Sequence, residues 1–401
     1  MRLGMLEILI NCMFALMKSI RNLVSYCMVL MNGMAYGQIV PPALEPLFTE
    51  PKHYVCYKTN EAIKCDGKLD EKSWKLAAWT GIFVDIEGAG KPAPYFNTNV
   101  KMLYDDKYLY IAAILDEHDV WAYLTVADDT VYHDNDFEVF LDPEGSTHNY
   151  FEIEVNALKT VFDLYMNKPY RNGGSALINW DVNDMKLGVS VFGSLNDGDN
   201  KDMDWVVEMV IPFASLSKGE TRNMPVDGEL WRINFSRVEW ETQFIDRKYE
   251  KKRNPKTNQL LPEHNWVWSP QGVVNMHYPE RWGYVLFSNK IVGGDTVSFE
   301  LPYTERIKRY LWLFYYEEKE FVNTHHYYCN DMKTLHYKND KVTIQNNKQF
   351  FTDALGNTVT LQATDHQFEV MVENKERHEK WMINQDGEII NRTLYEQKGF
   401  Y

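Results

Sequence analysis

Tyr150-Phe151-Glu152-Ile153-Glu154-Val155-Asn156 alternates polar and apolar side chains. Residues two apart on a strand share a face, so Phe151, Ile153 and Val155 point one way and Glu152, Glu154 and Asn156 the other. Such a period marks a strand. Upstream, Phe137-Glu138-Val139-Phe140-Leu141 is an apolar run broken by Glu138 and ended by Asp142-Pro143. Asn99 to Tyr104 alternates, and Tyr108 to Leu115 is apolar after an Asp105-Asp106 turn. Trp205 to Ile211, Leu230 to Val238 and Trp282 to Phe287 continue the series. Short strands at this spacing, with hardly any helical period between them, predict an all-β antiparallel sandwich, jelly-roll-like, over residues 63–288. Near its end Arg232, Asn234 and Ser236 share one face, opposite Trp231, Ile233 and Phe235. One sheet face thus collects carboxylates, amides and guanidinium groups. A solvated outer face is the commoner origin of such a pattern. The aromatics of the intervening loops, Tyr132, Tyr170, Trp180, Trp240, Trp266 and Trp268, favour a binding face instead.

Composition narrows the classes of partner. Against 42 Lys and Arg stand 57 Asp and Glu, a net charge of −15 that repels phosphate backbones, so nucleic acid is not expected. The 25 Tyr, 20 Phe and 12 Trp suit either a thick β core or a surface that stacks flat ligands. At the N-terminus Lys18 and Arg21 precede the apolar run Leu23 to Met31, and Ala35-Tyr36-Gly37 ends in small residues. Residues 1–37 therefore read as a secretory signal, with Met17 a second candidate start, and predict an exported protein. The alternative, a membrane anchor over Leu3 to Met31, is interrupted by Asn11, Lys18, Arg21 and Asn22. Residues 38–62 read as a linker, rich in Pro at Pro41-Pro42 and Pro46, leading into a first strand. Of five cysteines, Cys12 and Cys27 fall in the signal, Cys56 and Cys65 are spaced to pair only if their strands adjoin, and Cys329 is alone.

After Gly293-Gly294 the pattern changes. Ile307, Tyr310, Leu311, Phe314 and Tyr315 predict an amphipathic helix over 304–322, and a short second helix is expected at Met332 to Leu335. Strands follow at 341–345, 358–362, 368–372 and 380–383. Residues 300–401 are thus expected to form a small α+β appendage.

Seven strings occur in order. They are Asp66-Gly67-Lys68-Leu69-Asp70-Glu71 with Trp74, Tyr104 to Tyr110, Asn135 to Pro143, Glu152 to Ala157, Trp205 to Phe213, Trp231 to Arg237 and His277 to Gly283. Together they resemble the family 9 carbohydrate-binding modules, especially family-9-like exported proteins of Bacteroidota. The resemblance implies a β-sandwich that grips sugars, often with structural calcium. By the same resemblance Tyr132 takes the place of a stacking Trp, and Glu138 matches the Glu that accepts hydroxyl hydrogen bonds. Glu154 replaces a sugar-binding Arg, reversing the charge, and Met276 beside His277 replaces a second stacking Trp. The appendage resembles the pilin-type segment that follows some of these modules.

The expected site is a carbohydrate-binding one: Tyr132, Trp240 and Trp268 as stacking faces, Glu138, Glu154, Asn156, Asn234, Arg237 and His277 as polar partners. Core filling by the aromatics, and an ion pair between Glu138 and Arg237, are the competing readings. Asp134 and Asp136, on an acidic loop with Asp128 and Asp129, are the calcium ligands the resemblance implies, with a solvated acidic loop as the competing reading. The ligand read from this is a poly- or oligosaccharide used in carbohydrate catabolism, with cell-envelope glycan-utilisation proteins as partners and no catalytic residues. Two alternatives stay open. One is a haem-binding sandwich using Met276 or His277 with Met209 or Met166. The other is a glycoside hydrolase, which needs two carboxylates across a scissile bond.

Overall fold

The structure is a computed structural model, and it describes residues 40–217, 224–335, 342–345, 348–353 and 355–393. The signal expected at 1–37 lies outside the described residues. No helix among them is long and apolar enough to cross a membrane.

Among the described residues fifteen strands precede residue 292: β1 (His53–Lys58), β2 (Val84–Asp85), β3 (Thr98–Tyr104), β4 (Tyr108–Asp116) and β5 (Asp136–Asp142) come first. Next are β6 (Tyr150–Asn156), β7 (Val161–Met166), β8 (Ala176–Leu177), β9 (Lys186–Phe192) and β10 (Asp204–Pro212). The last are β11 (Leu230–Glu239), β12 (Thr242–Ile245), β13 (Lys248–Lys251), β14 (His264–Val267) and β15 (Gly283–Ile291). One hydrogen-bonded path runs β8-β7-β6-β5-β11-β15-β1-β3-β4-β10-β9, with β14 and β2 branching from β11. It folds over at β1, which runs parallel to β15 from His53 to Tyr57. A register shift at Tyr57/Lys58 then lets the strand turn to Leu103 and Tyr104 of β3. Such a break is what a strand needs to pass from one leaf to the other. Neighbours other than β1 are antiparallel.

The leaves meet in one core. Val100, Ile111, Leu115, Val207 and Met209 from one leaf pack with Phe137, Val139, Phe151, Ile153, Phe235 and Phe287 from the other. The all-β sandwich expected from the strand period is the fold observed. Cys56 is buried in this core and Cys65 lies outside it with its Sγ against the Glu208 carbonyl; both are free thiols, so the pairing left open from their spacing is absent.

Beyond the sandwich, a helix spans Tyr303–His325, longer at both ends than its apolar period. A sheet follows: β16 (Thr343–Gln345), β17 (Lys348–Thr352), β18 (Thr358–Ala363), β19 (Phe368–Asn374), β20 (Glu379–Asn384) and β21 (Ile389–Asn391). Its order is simply sequential. Met332 to Leu335 is a turn rather than the expected helix: Thr334 and Leu335 amides both donate to the Asp331 carbonyl, and no further helical bond follows among the described residues. The long helix touches the sandwich through Tyr315 Oη, which donates to Asn172 Oδ1 at 2.7 Å, and through a Tyr316 hydrogen bond to Glu280.

Candidate functional site

The alternation at 150–156 places its residues as read. Phe151, Ile153 and Val155 lie in the core, and Glu152, Glu154 and Asn156 lie on the outer side of β6. In register, Asp136 faces Asn156, Glu138 faces Glu154 and Phe140 faces Glu152, while Ser236 of β11 flanks Glu138. This outer face is not solvated. Asp136 is fully buried, and Glu138, Glu152 and Glu154 are each at most 5 % exposed. The chain between β14 and β15 returns across it: Val267, Met276 and Trp282 pack with Phe140, Tyr150, Leu164 and Met166 in a satellite cluster.

Four carboxyls share this covered strip, and Asp136, Glu138 and Glu154 each bring an oxygen within 4.8 Å of the other two. Burial disfavours their charged forms, and their mutual repulsion adds to that. Burial pushes Glu138 up to about 7; burial, then Glu138, pushes Glu152 up to about 8. Asp136 and Glu154 lie well above the usual carboxylate range for the same reasons. Near neutral pH such a strip holds protons as well as charge, so it can both donate to and accept from hydroxyl groups.

Aromatic and imidazole groups edge the strip. Tyr132 is 38 % exposed, and its amide donates to Glu154 Oε2 at 3.1 Å. Its carbonyl accepts from Trp240 Nε1 at 2.8 Å, so Trp240, nearly buried, braces Tyr132 from below. Lys251 Nζ lies 3.4 Å from the Trp240 ring centre, and burial lowers it to about 8. On the other side His277 Nε2 is 3.8 Å from Glu152 Oε2, while its Nδ1 is hydrogen-bonded to Tyr150 Oη at 2.9 Å. Burial, then the nearby Arg171, lowers His277 to about 4, which keeps it neutral. Tyr170, 47 % exposed, packs edge-on to His277 with ring centres 4.6 Å apart.

The structure thus gathers Tyr132, Glu138, Glu154, Trp240 and His277 of the expected set, and separates the others. Arg237 is fully buried on the inner side of β11, where it pairs with Glu117 and Glu239 at 2.7 and 2.8 Å and not with Glu138. Trp268 fills the main core. Asn234 exchanges hydrogen bonds with the backbone of Ser269. Asn156 organises the 124–160 turn: its amide donates to Asp134 and to the Leu124 carbonyl, and its Oδ1 accepts from Leu158 and Thr160. Asp134 Oδ2 accepts from three N–H groups, of Tyr123, Leu124 and Asn156, while Asp136 joins Glu138 and Glu154 instead. A second acidic group, Asp128, Asp163 and Asp181, forms apart from this strip. Of the residues considered for haem, Met209 is in the main core, and Met276 and Met166 pack in the satellite cluster. Missed as site residues were Glu152, whose parity with Glu154 already placed it on the face, Tyr170, and Lys251, which no local pattern marks.

Residues 65–230 match the family model described as carbohydrate family 9 binding domain-like. The matched stretch lies within the sandwich. Three solved structures are similar to this chain. A candidate carbohydrate-binding protein from Bacteroides uniformis is 16 % identical, with TM-score 0.45, covering 60 % of this chain and 100 % of its own. A family 9 carbohydrate-binding module from Caldicellulosiruptor kristjanssonii in complex with cellotriose is 15 % identical, with TM-score 0.38, covering 62 % and 100 %. The same organism's module with glucose is 14 % identical, with TM-score 0.36, covering 61 % and 100 %. No curated protein matches the chain. The matched stretch carries Tyr132, Glu138 and Glu154 and ends at Leu230, so Trp240 and His277 lie beyond it.

Proposed function

We propose that this protein is an exported, non-catalytic carbohydrate-binding protein that holds a poly- or oligosaccharide against the edge of β5 and β6. The observation that carries this is the match of residues 65–230 to a carbohydrate-binding family, on a domain whose Tyr132, Glu138 and Glu154 stand together. The sugar-bound relatives from Caldicellulosiruptor kristjanssonii, with cellotriose and glucose, give the class of ligand. A pyranose presents an apolar C–H face and a rim of hydroxyls. Tyr132 offers the first an exposed ring, and Glu138 and Glu152 offer the second carboxyls that both accept and donate. Export would put the protein in the periplasm or on the cell surface, beside glycan-utilisation proteins that break the captured chain down.

The test is affinity electrophoresis of the purified protein through gels containing a panel of plant and microbial polysaccharides. At least one polysaccharide should retard the protein, and Tyr132→Ala and Glu138→Gln should each cut that retardation at least fivefold. Migration unchanged by every polysaccharide, with and without calcium, would sink the reading.

A further inference from the structure

The stretch from Thr242 to Lys256 departs from the charge of the rest of the chain. It holds Arg247, Lys248, Lys251, Lys252, Arg253 and Lys256 against only Asp246 and Glu250, in a protein whose net charge is −15. The hairpin β12–β13 carries part of this run, with Thr242 paired to Lys251 and Phe244 to Tyr249. Parity splits the hairpin into two faces. Tyr249 lies on the inner one, packed with Trp121, Val238 and Trp240, and Lys251 shares that side, so its Nζ rests over the Trp240 ring. Lys248 and Lys252 alternate outward and are exposed, as are Arg247, Arg253 and Lys256. Lys252 meets Glu241 at 3.3 Å. Lys251 has no such partner. It is only partly exposed, no carboxylate among the described residues forms an ion pair with it, and Asp134 and Glu263 attract it from farther off. A cation drawn partly out of water onto an indole face, and left unpaired there, is placed to take an anion.

We infer that the sugar held here is acidic, a polysaccharide of uronic acids, with Lys251 taking the carboxylate of the residue that stacks on Tyr132. This rests on the sugar reading proposed above and narrows it. Trp240 holds the two groups together: its Nε1 donates to the Tyr132 carbonyl at 2.8 Å, while its ring centre lies 3.4 Å from Lys251 Nζ. Tyr123, 40 % exposed, adds a second ring, tied to the hairpin by its Oη, which accepts from the Tyr249 amide at 2.8 Å. A uronate keeps the apolar C–H face of a hexose and carries its carboxylate at the ring edge, so one residue can stack and pair at once. The carboxyl strip beside it does not bar an anion. Glu138 and Glu152, raised to about 7 and about 8 by burial first, hold protons near neutral pH and donate. The exposed cations of the hairpin would draw such a polymer in from a distance and orient it on this edge.

The test is affinity electrophoresis of the purified protein, with chelator, through polygalacturonate, alginate and glucuronoxylan. Each is run beside its carboxyl-reduced form, which keeps the linkages and replaces every carboxylate by a hydroxymethyl group. At least one acidic polymer should retard the protein about tenfold more than its reduced form. Lys251→Met should abolish that preference, and Lys251→Arg should retain it. Lys64→Met, the same loss of charge at a lysine paired to Asp66, should leave it unchanged. Equal or greater retardation by the reduced polymers, a preference that survives Lys251→Met, or stronger retardation by single-stranded DNA overturns the inference. Retention of neutral polysaccharides alone also overturns it but leaves the sugar reading standing, whereas no retention by any polysaccharide removes both.

Discussion

Arg237 sits on the strand that carries Arg232, Asn234 and Ser236, yet it is an odd-numbered residue among even ones. On β11 odd positions face inward, with Ile233 and Phe235, so parity alone assigns Arg237 to the interior. What parity does not supply is its partner Glu117, which is 120 residues away in sequence. The triad is dry, with Arg237 Nε and Nη2 on Glu239 and Nη2 on Glu117. Arg237→Ala should therefore destabilise the fold by about 3–5 kcal/mol, read from urea unfolding, because it strands two buried carboxylates. Tyr132 is the opposite case. Its ring is exposed, so Tyr132→Ala should leave unfolding within about 0.5 kcal/mol of wild type while weakening sugar retention. Side-chain parity made the outward direction of Glu152 and Glu154 legible, although only Glu154 of the two was read as a site residue. It was not legible that this face is roofed, because Met276 and Trp282 arrive from more than 120 residues downstream.

Among the elements, no register was read for any strand; β3, β4, β5, β6, β10 and β11 announced themselves by period and turn residues, while β7, β8 and β9 did not. β1 did not, since its parallel partner β15 begins 230 residues after it and no turn links them. The 303–325 helix was read as amphipathic, yet Tyr310 to Glu318 are buried without interruption. It is enclosed on one side by β19 and β20 and on the other by sandwich residues such as Asn172 and Glu280. Glu317 is caught in that enclosure: burial, then Glu320 and Glu318, pushes it up to about 8. The sign follows from linkage. A carboxyl whose folded value is raised contributes stability below its ordinary value, near 4.5, and loses it as pH climbs through about 8. Glu317→Gln should hence be more stable than wild type at pH 8.5 by about 1–3 kcal/mol, with the gap closing near pH 5; thermal melts across that range measure it.

At the scale of the molecule the C-terminal layer meets the sandwich at several places, from Glu305 on Arg232 to the turn at Asp386 and Gly387. Gly387 has φ +73°, and its carbonyl accepts from Thr147 Oγ1 at 2.6 Å, while a Cβ there would stand 3.0 Å from Asn172 Nδ2. Glycine alone takes that backbone without strain. Gly387→Ala should cost about 1–3 kcal/mol and speed limited proteolysis between residues 293 and 302, with sugar retention falling only if Arg171 and Tyr170 loosen as well. The parallel pairing of β1 with β15 has a mechanical side. Tension entering at Lys52 and leaving at Val292 pulls the two strands along their length in opposite senses, loading the bonds from His53 to Tyr57 together rather than one by one. Loaded in this way the pair would resist as a clasp, not open as a zipper, and single-molecule stretching between those residues should show one high-force rupture.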